Sequence, residues 1–262
     1  ERVAQTPKIL HEDRENYAFA MSAAPENHRV WKADLLAGQA DPAIAAACGR
    51  LLGSLHSGSW QNAEIARRLQ DRKIFDELRL DPYYRALGRT FPGDAAVLER
   101  LIDSVLDHRR SLVHADFSPK NLLVYDGGLL LVDFETGHYG DPAFDLGFFL
   151  SHLLLKAVYH APDYEPYLAL TDIFWNAYGG ELAARIGAAE RRDLESRAVL
   201  NFAGCAWARL DGTSKVEYLA DPLRRDQLRS FCRDLLYDPL ESWPAVLAAF
   251  RERFQSGFAA LG

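Results

Sequence analysis

Three oxygen-bearing side chains stand at fixed spacing near the middle of the chain. Asp116 and Asn121 belong to the segment His114-Ala-Asp-Phe-Ser-Pro-Lys-Asn121, and Asp133 opens the segment Asp133-Phe134-Glu135. Mg²⁺ takes carboxylate and amide oxygens from proteins when it also binds substrate phosphates. A further carboxylate can accept the proton of an attacking hydroxyl group. These residue types are therefore suited to phosphoryl transfer from a nucleotide to a hydroxyl group.

The residues between the two segments predict a β-hairpin. Short apolar runs at residues 122–125 and 129–132 flank Asp126-Gly127-Gly128, and glycines adopt positive φ at little cost. With a three-residue loop, and unless a bulge shifts the register, Asn121 faces Asp133 at roughly 4.5–5.5 Å. We therefore predict that both side chains reach one ion and that Asp116 overhangs it.

These segments, together with Gly140-Asp-Pro-Ala-Phe-Asp-Leu146, resemble the aminoglycoside phosphotransferase and choline kinase-like family. The resemblance implies a protein-kinase-like fold that phosphorylates hydroxyl groups of small molecules. It implies Asp116 as catalytic base and Asn121 and Asp133 as metal ligands that complete the catalytic loop.

The same resemblance assigns roles to the neighbouring residues. Glu135 matches an acid that some members, such as methylthioribose kinases, place near a second metal, and in an extended chain it points to the same side as Asp133. Asp145 would brace the site by capping the next helix and hydrogen-bonding the catalytic loop. His114 is expected to be a packed, hydrogen-bonded histidine, and His56 a structural residue near a helix end.

The first residues predict two short strands, at residues 6–10 and 17–21, joined by a polar turn. In the resembled family such a pair ends the small N-terminal lobe, and the backbone of the following hinge, here Ser22 and Ala23, holds the adenine. We therefore expect residues 1–24 to end a nucleotide-binding lobe and residues 25–262 to form a helical catalytic and acceptor-binding lobe. Because the chain opens with Glu1 and has no glycine-rich loop ahead of the strands, we also expect an upstream lobe outside this sequence.

The rest of the sequence predicts helices from apolar residues at helical spacing. The predicted helices cover residues 31–36, 42–55, 62–80, 94–110, 144–159, 164–178, 190–210, 224–236 and 240–258. Asp41-Pro42 should open the second one, and Asp94 should cap the fourth. The expected fold class is α+β and predominantly helical, the C-terminal lobe of a protein-kinase-like fold with a remnant of the small lobe. Trp175, Trp207 and Tyr218 are candidates for the acceptor wall, with core packing as the alternative.

Composition and charge restrict the classes of partner that the protein is expected to bind. The net charge of −7 argues against nucleic acid and favours, weakly, a cationic substrate. No clean apolar stretch long enough for a bilayer and no signal peptide is visible. Three widely spaced cysteines, Cys48, Cys205 and Cys232, predict buried thiols in a cytoplasmic protein.

The predicted function is phosphoryl transfer from ATP or GTP, with Mg²⁺, to a small-molecule hydroxyl group. Two alternatives remain open at this point. One is a catalytically silent binding module that keeps the fold, and the other is a metal-dependent phosphate-ester hydrolase in which Asp116 activates water. The acceptor is not determined by the sequence, because one fold serves many substrates.

Overall fold

The computed structural model describes residues 3–259. Within these described residues there are eight short strands, eleven α-helices, one π-helical segment and one 3₁₀ turn. In chain order the elements are β1 (Val3–Gln5), β2 (Ile9–Asp13), β3 (Ala18–Met21), β4 (Arg29–Val30), α1 (Trp31–Leu36), α2 (Pro42–Ser59), α3 (Ala63–Arg68), α4 (Lys73–Phe75), the π-helical segment (Asp76–Arg85), α5 (Ala86–Thr90), the 3₁₀ turn (Pro92–Asp94), α6 (Ala95–Asp107), β5 (Ser111–Val113), β6 (Leu122–Tyr125), β7 (Gly128–Leu131), β8 (His138–Gly140), α7 (Pro142–His160), α8 (Glu165–Ala183), α9 (Ala188–Asp211), α10 (Pro222–Tyr237) and α11 (Trp243–Ala259).

Three of the long helices begin with the same Asp-Pro pair. Asp41, Asp141 and Asp221 each accept a hydrogen bond from the backbone N–H two residues on, at 2.8, 3.0 and 2.9 Å. The proline that follows occupies the first helical position, where its missing N–H costs nothing. The predicted start of α2 at Asp41 is therefore confirmed. The same pair also opens α7 and α10, two residues ahead of the predicted starts.

Helix α7 is the centre of the hydrophobic core. It is buried from Pro142 to Val158, as expected of a helix that is apolar on nearly all sides. Helices α8 and α9 pack against it, and α2 packs on α8. Gly147 permits the closest approach to α9, since a Cβ there would lie 2.4 Å from the backbone nitrogen of Phe202.

The strands form three small sheets. The largest has the order β1-β7-β6-β4, and its central pair β6–β7 is the hairpin predicted between the two motifs. β2 and β3 form the predicted antiparallel pair near the N-terminus, although β2 covers Ile9–Asp13 instead of residues 6–10. β5 and β8 form the third sheet and lead into and out of the motif region.

The predicted continuous helix over residues 62–80 is wrong. Asn62 caps α3, which ends at Arg68, because the carbonyl of Leu69 accepts a hydrogen bond from the N–H of Tyr139 at 2.7 Å. The chain resumes helical structure at Lys73 and then widens into the π-helical segment, which contains Pro82. A proline cannot donate the usual helical hydrogen bond, and π-helical turns are frequent where a helix is interrupted near a functional site.

Asp94 does not cap α6 through its side chain, in contrast to the prediction. Its carboxylate instead accepts hydrogen bonds from Arg233 and Tyr237, at 3.0 and 2.9 Å. The carboxylate therefore ties the start of α6 to α10, a long-range contact that local sequence does not encode.

The three cysteines are free and buried, as predicted. Burial raises the pKa of the thiol in each, and that of Cys205 to about 12. Within residues 3–259, no helix has both the length and the apolar character needed to cross a membrane.

Two glycine substitutions test the packing of the core. Gly147→Ala should destabilise the protein by about 1–3 kcal/mol, because the added Cβ meets rigid backbone of α9. Gly180→Ala, in α8, meets nothing within 4 Å and should stabilise by up to about 1 kcal/mol. Urea unfolding of both variants measures the difference, and equal effects would contradict the described contact between α7 and α9.

Candidate active site

The hairpin turns one residue earlier than predicted. Tyr125 pairs with Gly128, so the loop has two residues, Asp126 and Gly127, and Gly127 has φ +80°, a left-handed value that glycine adopts at little cost. The backbone partner of Asn121 is Val132, whose N–H donates to the Asn121 carbonyl at 3.1 Å. The predicted cross-strand pairing of Asn121 with Asp133 is therefore wrong.

Asp133 lies beyond the end of β7. Its φ of +72° is a left-handed conformation that non-glycine residues adopt only at some cost. Its carboxylate is partly exposed and lies 4.0 Å from the Nζ of Lys120. The backbone kink brings the Asp133 side chain to the lysine of the catalytic loop, where a straight strand would have continued along the sheet.

Glu135 does not continue an extended strand with Asp133, contrary to the prediction. The left-handed Asp133 is followed by a turn at residues 135–136, so the alternation of side chains along a strand does not apply. Glu135 is exposed and borders a surface cleft with Arg68 and Ile74. No contact described for residues 3–259 joins Glu135 to Asn121 or Asp133.

Asp116 is held by three donors on one oxygen. Its Oδ2 atom lies 3.0 Å from Arg79 Nη2, 2.8 Å from Lys120 Nζ and 2.8 Å from Asn121 Nδ2. The side chain is almost fully buried. Among the described hydrogen bonds none ends on Oδ1, so this oxygen remains available as an acceptor.

Asn121 and Asp133 supply oxygens of the type that Mg²⁺ binds. The amide nitrogen of Asn121 donates to Asp116, at 2.8 Å to Oδ2 and 3.0 Å to the carbonyl, and this leaves its amide oxygen for another partner. Within residues 3–259, no three His, Cys, Asp or Glu side chains cluster as metal ligands. A metal at this position would therefore depend on few protein oxygens together with phosphates, which is the usual manner of Mg²⁺.

Asp145 braces the catalytic loop, as the sequence predicted. Its carboxylate accepts the N–H of His114 at 2.8 Å and the N–H of Ala115 at 2.7 Å. Its Oδ2 also lies 3.2 Å from His56 Nε2, whose other ring nitrogen contacts Tyr178 at 3.0 Å. Asp145 does not cap α7, because it lies in the first turn and the cap is Asp141.

The charges around this brace shift two pKa values. Burial works to raise the pKa of Asp145, but the hydrogen bond and charge of His56 and the contacts with His114 lower it below its ordinary value. Burial lowers the pKa of His114, against the opposing effect of Asp145. The Nδ1 of His114 accepts the N–H of Asp116 at 3.2 Å, so the predicted packed, hydrogen-bonded role is confirmed.

Arg79 is a residue of this site that sequence reasoning missed. It lies in the π-helical segment, and its Nε donates to the carbonyl of Ala115 at 2.5 Å while Nη2 contacts Asp116. Ala115 has φ +60°, so its carbonyl is turned out of the usual loop path. Arg79 is separated from the motif by more than thirty residues, and no local pattern marks it.

The predicted hinge residues lie close to β2 and β3. The N–H of Ser22 donates to the carbonyl of Lys8 at 2.8 Å, and the N–H of Lys8 donates to Ser22 Oγ at 3.0 Å. Ala23 is exposed next to this pair. The backbone donor of Ser22 is therefore engaged within the strand pair.

Comparison with known proteins gives a consistent grouping. Residues 2–200 match the model of the phosphotransferase enzyme family. The chain is 27% identical over 178 residues to methylthioribose kinase of Cronobacter sakazakii, a match that covers 58% of this chain and 44% of that protein. It is 28% identical over 176 residues to methylthioribose kinase of Citrobacter koseri, with the same coverage. The matched region thus spans less than half the length of these relatives.

A solved structure shows the fold. A choline/ethanolamine kinase family protein from Mesorhizobium loti superimposes with a TM-score of 0.51 at 18% sequence identity, over 94% of this chain and 79% of that one. Together with the family match, the similarity confirms the predicted α+β, mainly helical class and the helical lobe of a protein-kinase-like fold.

Asp145→Asn tests the brace. Asparagine has one acceptor oxygen for the two backbone N–H groups, so one buried N–H would face the side-chain NH₂ group and lose its hydrogen bond. The contact with His56 would also weaken. We expect a loss of about 3 kcal/mol in the free energy of unfolding by urea. Asp103→Asn, an exposed change of the same type in α6, should alter it by less than about 0.5 kcal/mol.

The pH dependence of the unfolding free energy, compared between the wild type and Asp145→Asn, gives a second measurement. Because the folded pKa of Asp145 lies below the value of 3.8 taken as ordinary, its stabilisation is complete above that pH and is lost as the pH falls through the folded pKa. The wild-type protein should therefore lose more stability than Asp145→Asn as the pH is lowered from 5 through the folded pKa of Asp145. Parallel curves would contradict this role of the carboxylate.

Proposed function

The chain belongs to the phosphotransferase enzyme family, and from that premise we propose that the protein transfers the γ-phosphoryl group of ATP or GTP to a hydroxyl group of a small molecule. The observation that carries the proposal is the arrangement of Asp116. Three donors fix Oδ2 and leave Oδ1 as the base. The identity of the relatives as methylthioribose kinases makes a sugar-like acceptor one candidate.

Positioning accounts for most of the proposed catalysis. Arg79 anchors both the carbonyl of Ala115 and the carboxylate of Asp116, and the brace at Asp145 fixes the backbone on the other side. The base is therefore held from two directions, by the arginine side chain and by the braced backbone. Holding a base and a hydroxyl in a reactive geometry can lower a barrier by several kcal/mol. Asp116 accepts the hydroxyl proton as the phosphoryl group is transferred.

Asn121 and Asp133 are the proposed ligands of Mg²⁺. The amide oxygen of Asn121 and the partly exposed carboxylate of Asp133 are both hard oxygen donors beside the catalytic loop. A bound Mg²⁺ would neutralise the charge of the nucleotide phosphates. A second metal near Glu135 is less well supported, because Glu135 faces a separate cleft.

Lys120 is proposed to contact phosphate. Its ammonium lies 2.8 Å from Asp116 and 4.0 Å from Asp133, and its side chain is about half exposed. A long side chain that is half in solvent can exchange one anion for another at little cost. Departure of Lys120 toward a phosphate would leave Oδ2 of Asp116 with its contacts to Arg79 and Asn121.

The nucleotide base is proposed to lie at residues 1–24, with the acceptor bound by the lobe of residues 25–262. Because the N–H of Ser22 is engaged by Lys8, the backbone of Ala23 is the better placed of the two hinge residues to hydrogen-bond adenine. The protein is proposed to act on small molecules in the cytoplasm.

Asp116→Asn should lower kcat by about 10²–10⁴-fold, with nucleotide affinity nearly unchanged. The amide keeps the shape of the side chain but cannot act as a base. Release of nucleoside diphosphate, with and without an acceptor panel, measures transfer and separates it from hydrolysis. Asp103→Asn serves as the control, and a thermal melt checks folding. If Asp116→Asn retained wild-type turnover, another group would be the base.

Asp133→Asn should weaken Mg²⁺-dependent nucleotide binding about tenfold or more, because a neutral amide replaces a charged ligand. Calorimetric titration of nucleotide with Mg²⁺ and with EDTA measures the metal-dependent part. Asp126→Asn removes the same charge from the turn of the same hairpin and should leave binding unchanged. An equal response of both variants would argue against Asp133 as a ligand.

A further inference from the structure

Lys156 is a buried lysine without a counterion. It lies on α7 with 1% of its surface exposed. Its Nζ donates to the carbonyl of His152 at 2.9 Å and lies 5.6 Å from the centre of the Tyr218 ring. No ion pair to any carboxylate is described for it within residues 3–259.

Arg209, on α9, adds a second positive charge near the same place. One of its terminal nitrogens contacts the carbonyl and the hydroxyl of Ser214, at 2.5 and 2.7 Å, and Tyr83 at 3.5 Å. Its Nε and the hydroxyl of Tyr218 are buried and have no hydrogen-bond partner among the described residues. Both atoms are donors that a ligand could satisfy.

The basic residues Lys32, His152, Lys156 and Arg209 are here termed the cationic cluster. Burial, together with the neighbouring positive charges, lowers the pKa of two of its members. Burial lowers the pKa of Lys156 to about 7, and the charges of Lys32 and Arg209 act in the same direction. Burial also lowers the pKa of His152 well below its ordinary value, with Lys156 adding to the effect.

Two other arginines with low exposure are neutralised by carboxylates. Arg197 lies 2.9 Å from Asp141, and Arg229 lies 2.5 Å from Asp211. Burying a charge without a partner is costly, and a methionine in place of Lys156 would fill the same volume without that cost. Packing alone therefore does not explain why a lysine stands at this position without a carboxylate partner among residues 3–259.

The cationic cluster adjoins the proposed base. Arg79, which contacts Asp116 at 3.0 Å, lies with its guanidinium 5.7 Å from the ring of Phe148. The ring of Phe148 in turn lies 4.9 Å from that of His152. Lys156 follows one helical turn further along α7, so the cluster begins one aromatic ring away from the arginine that contacts Asp116.

We propose that the cationic cluster binds an anionic group, a carboxylate or a phosphate, carried by the hydroxyl acceptor. This inference rests on the proposed phosphotransferase function and specifies its substrate class. The free donors of Arg209 and Tyr218 and the ammonium of Lys156 would hydrogen-bond the oxygens of the anion. The local charge thus favours an acidic acceptor, although the net charge of −7 pointed to a cationic one.

Matched ligands test the proposal on the full chain. The probes are glycerol, glycerate and glycerol 3-phosphate, then glucose, gluconate and glucose 6-phosphate, with inorganic phosphate alone as the simplest anion. Calorimetry and thermal melts measure binding. We expect the anions to bind at least tenfold more tightly than the neutral member of each series, and the two anion types distinguish carboxylate from phosphate recognition. Failure of every anion to bind more tightly than its neutral partner would overturn the proposal.

Lys156→Met identifies the site. It should weaken anion binding at least tenfold and, because it removes an uncompensated buried charge, raise the melting temperature by several degrees. Lys73→Met, an exposed lysine paired with Glu77, removes the same charge and should change neither. Unchanged anion affinity in Lys156→Met would overturn the proposal even if the variant is stable.

The two proposals fail in different ways. Anion binding that depends on Lys156 but no phosphoryl transfer to any acceptor would leave the anion site standing and refute the proposed function. Transfer to neutral acceptors in preference to their anionic partners would support the function and refute the anion site.

Discussion

A buried carboxylate must find hydrogen bonds inside the protein, and that requirement at Asp145 organises the site. The carboxylate receives the backbone N–H groups of His114 and Ala115 and contacts His56. It therefore joins α7, α2 and the loop that presents Asp116, while Tyr178 extends the contact to α8. Removing any partner would leave a buried polar group unsatisfied, which costs more than the bond itself contributes. The position of Asp116 is thus a consequence of core electrostatics.

Much of this scaffold is readable from local sequence because local interactions determine it. The Asp41-Pro42 cap, the apolar spacing of α7 and the glycine turn of the hairpin each depend on neighbouring residues alone. The exact register of the hairpin does not depend on neighbouring residues alone. A two-residue turn and a three-residue turn differ by one residue in pairing, and the choice depends on strand twist as well as on the glycines. That single step removed the predicted pairing of Asn121 with Asp133.

Residues that come from distant parts of the chain were not predictable in this way. Arg79 reaches Asp116 only because the helix predicted at residues 62–80 breaks and widens into a π-helical segment. The break depends on a hydrogen bond between Leu69 and Tyr139, which exists only in the folded protein. Lys156 stands in the apolar sequence of α7, and it became informative only in the folded structure, where no carboxylate among residues 3–259 is described as its partner.

The net charge and the local charge of a binding protein affect different stages of ligand binding. The overall charge of −7 affects long-range attraction, which salt screens over about 10 Å. A ligand in contact with the protein instead meets the few charges that are buried beside it, where screening is weak. Asp116 is surrounded by positive charge from Arg79 and Lys120, and Lys156 continues that charge along α7. In the proposed reaction such a site would stabilise anions at both ends of the transfer, the phosphoryl donor and an acidic acceptor. The same residues would then offset the repulsion between those anions, which would be a reason for the protein to keep a lysine in its core at a cost in stability.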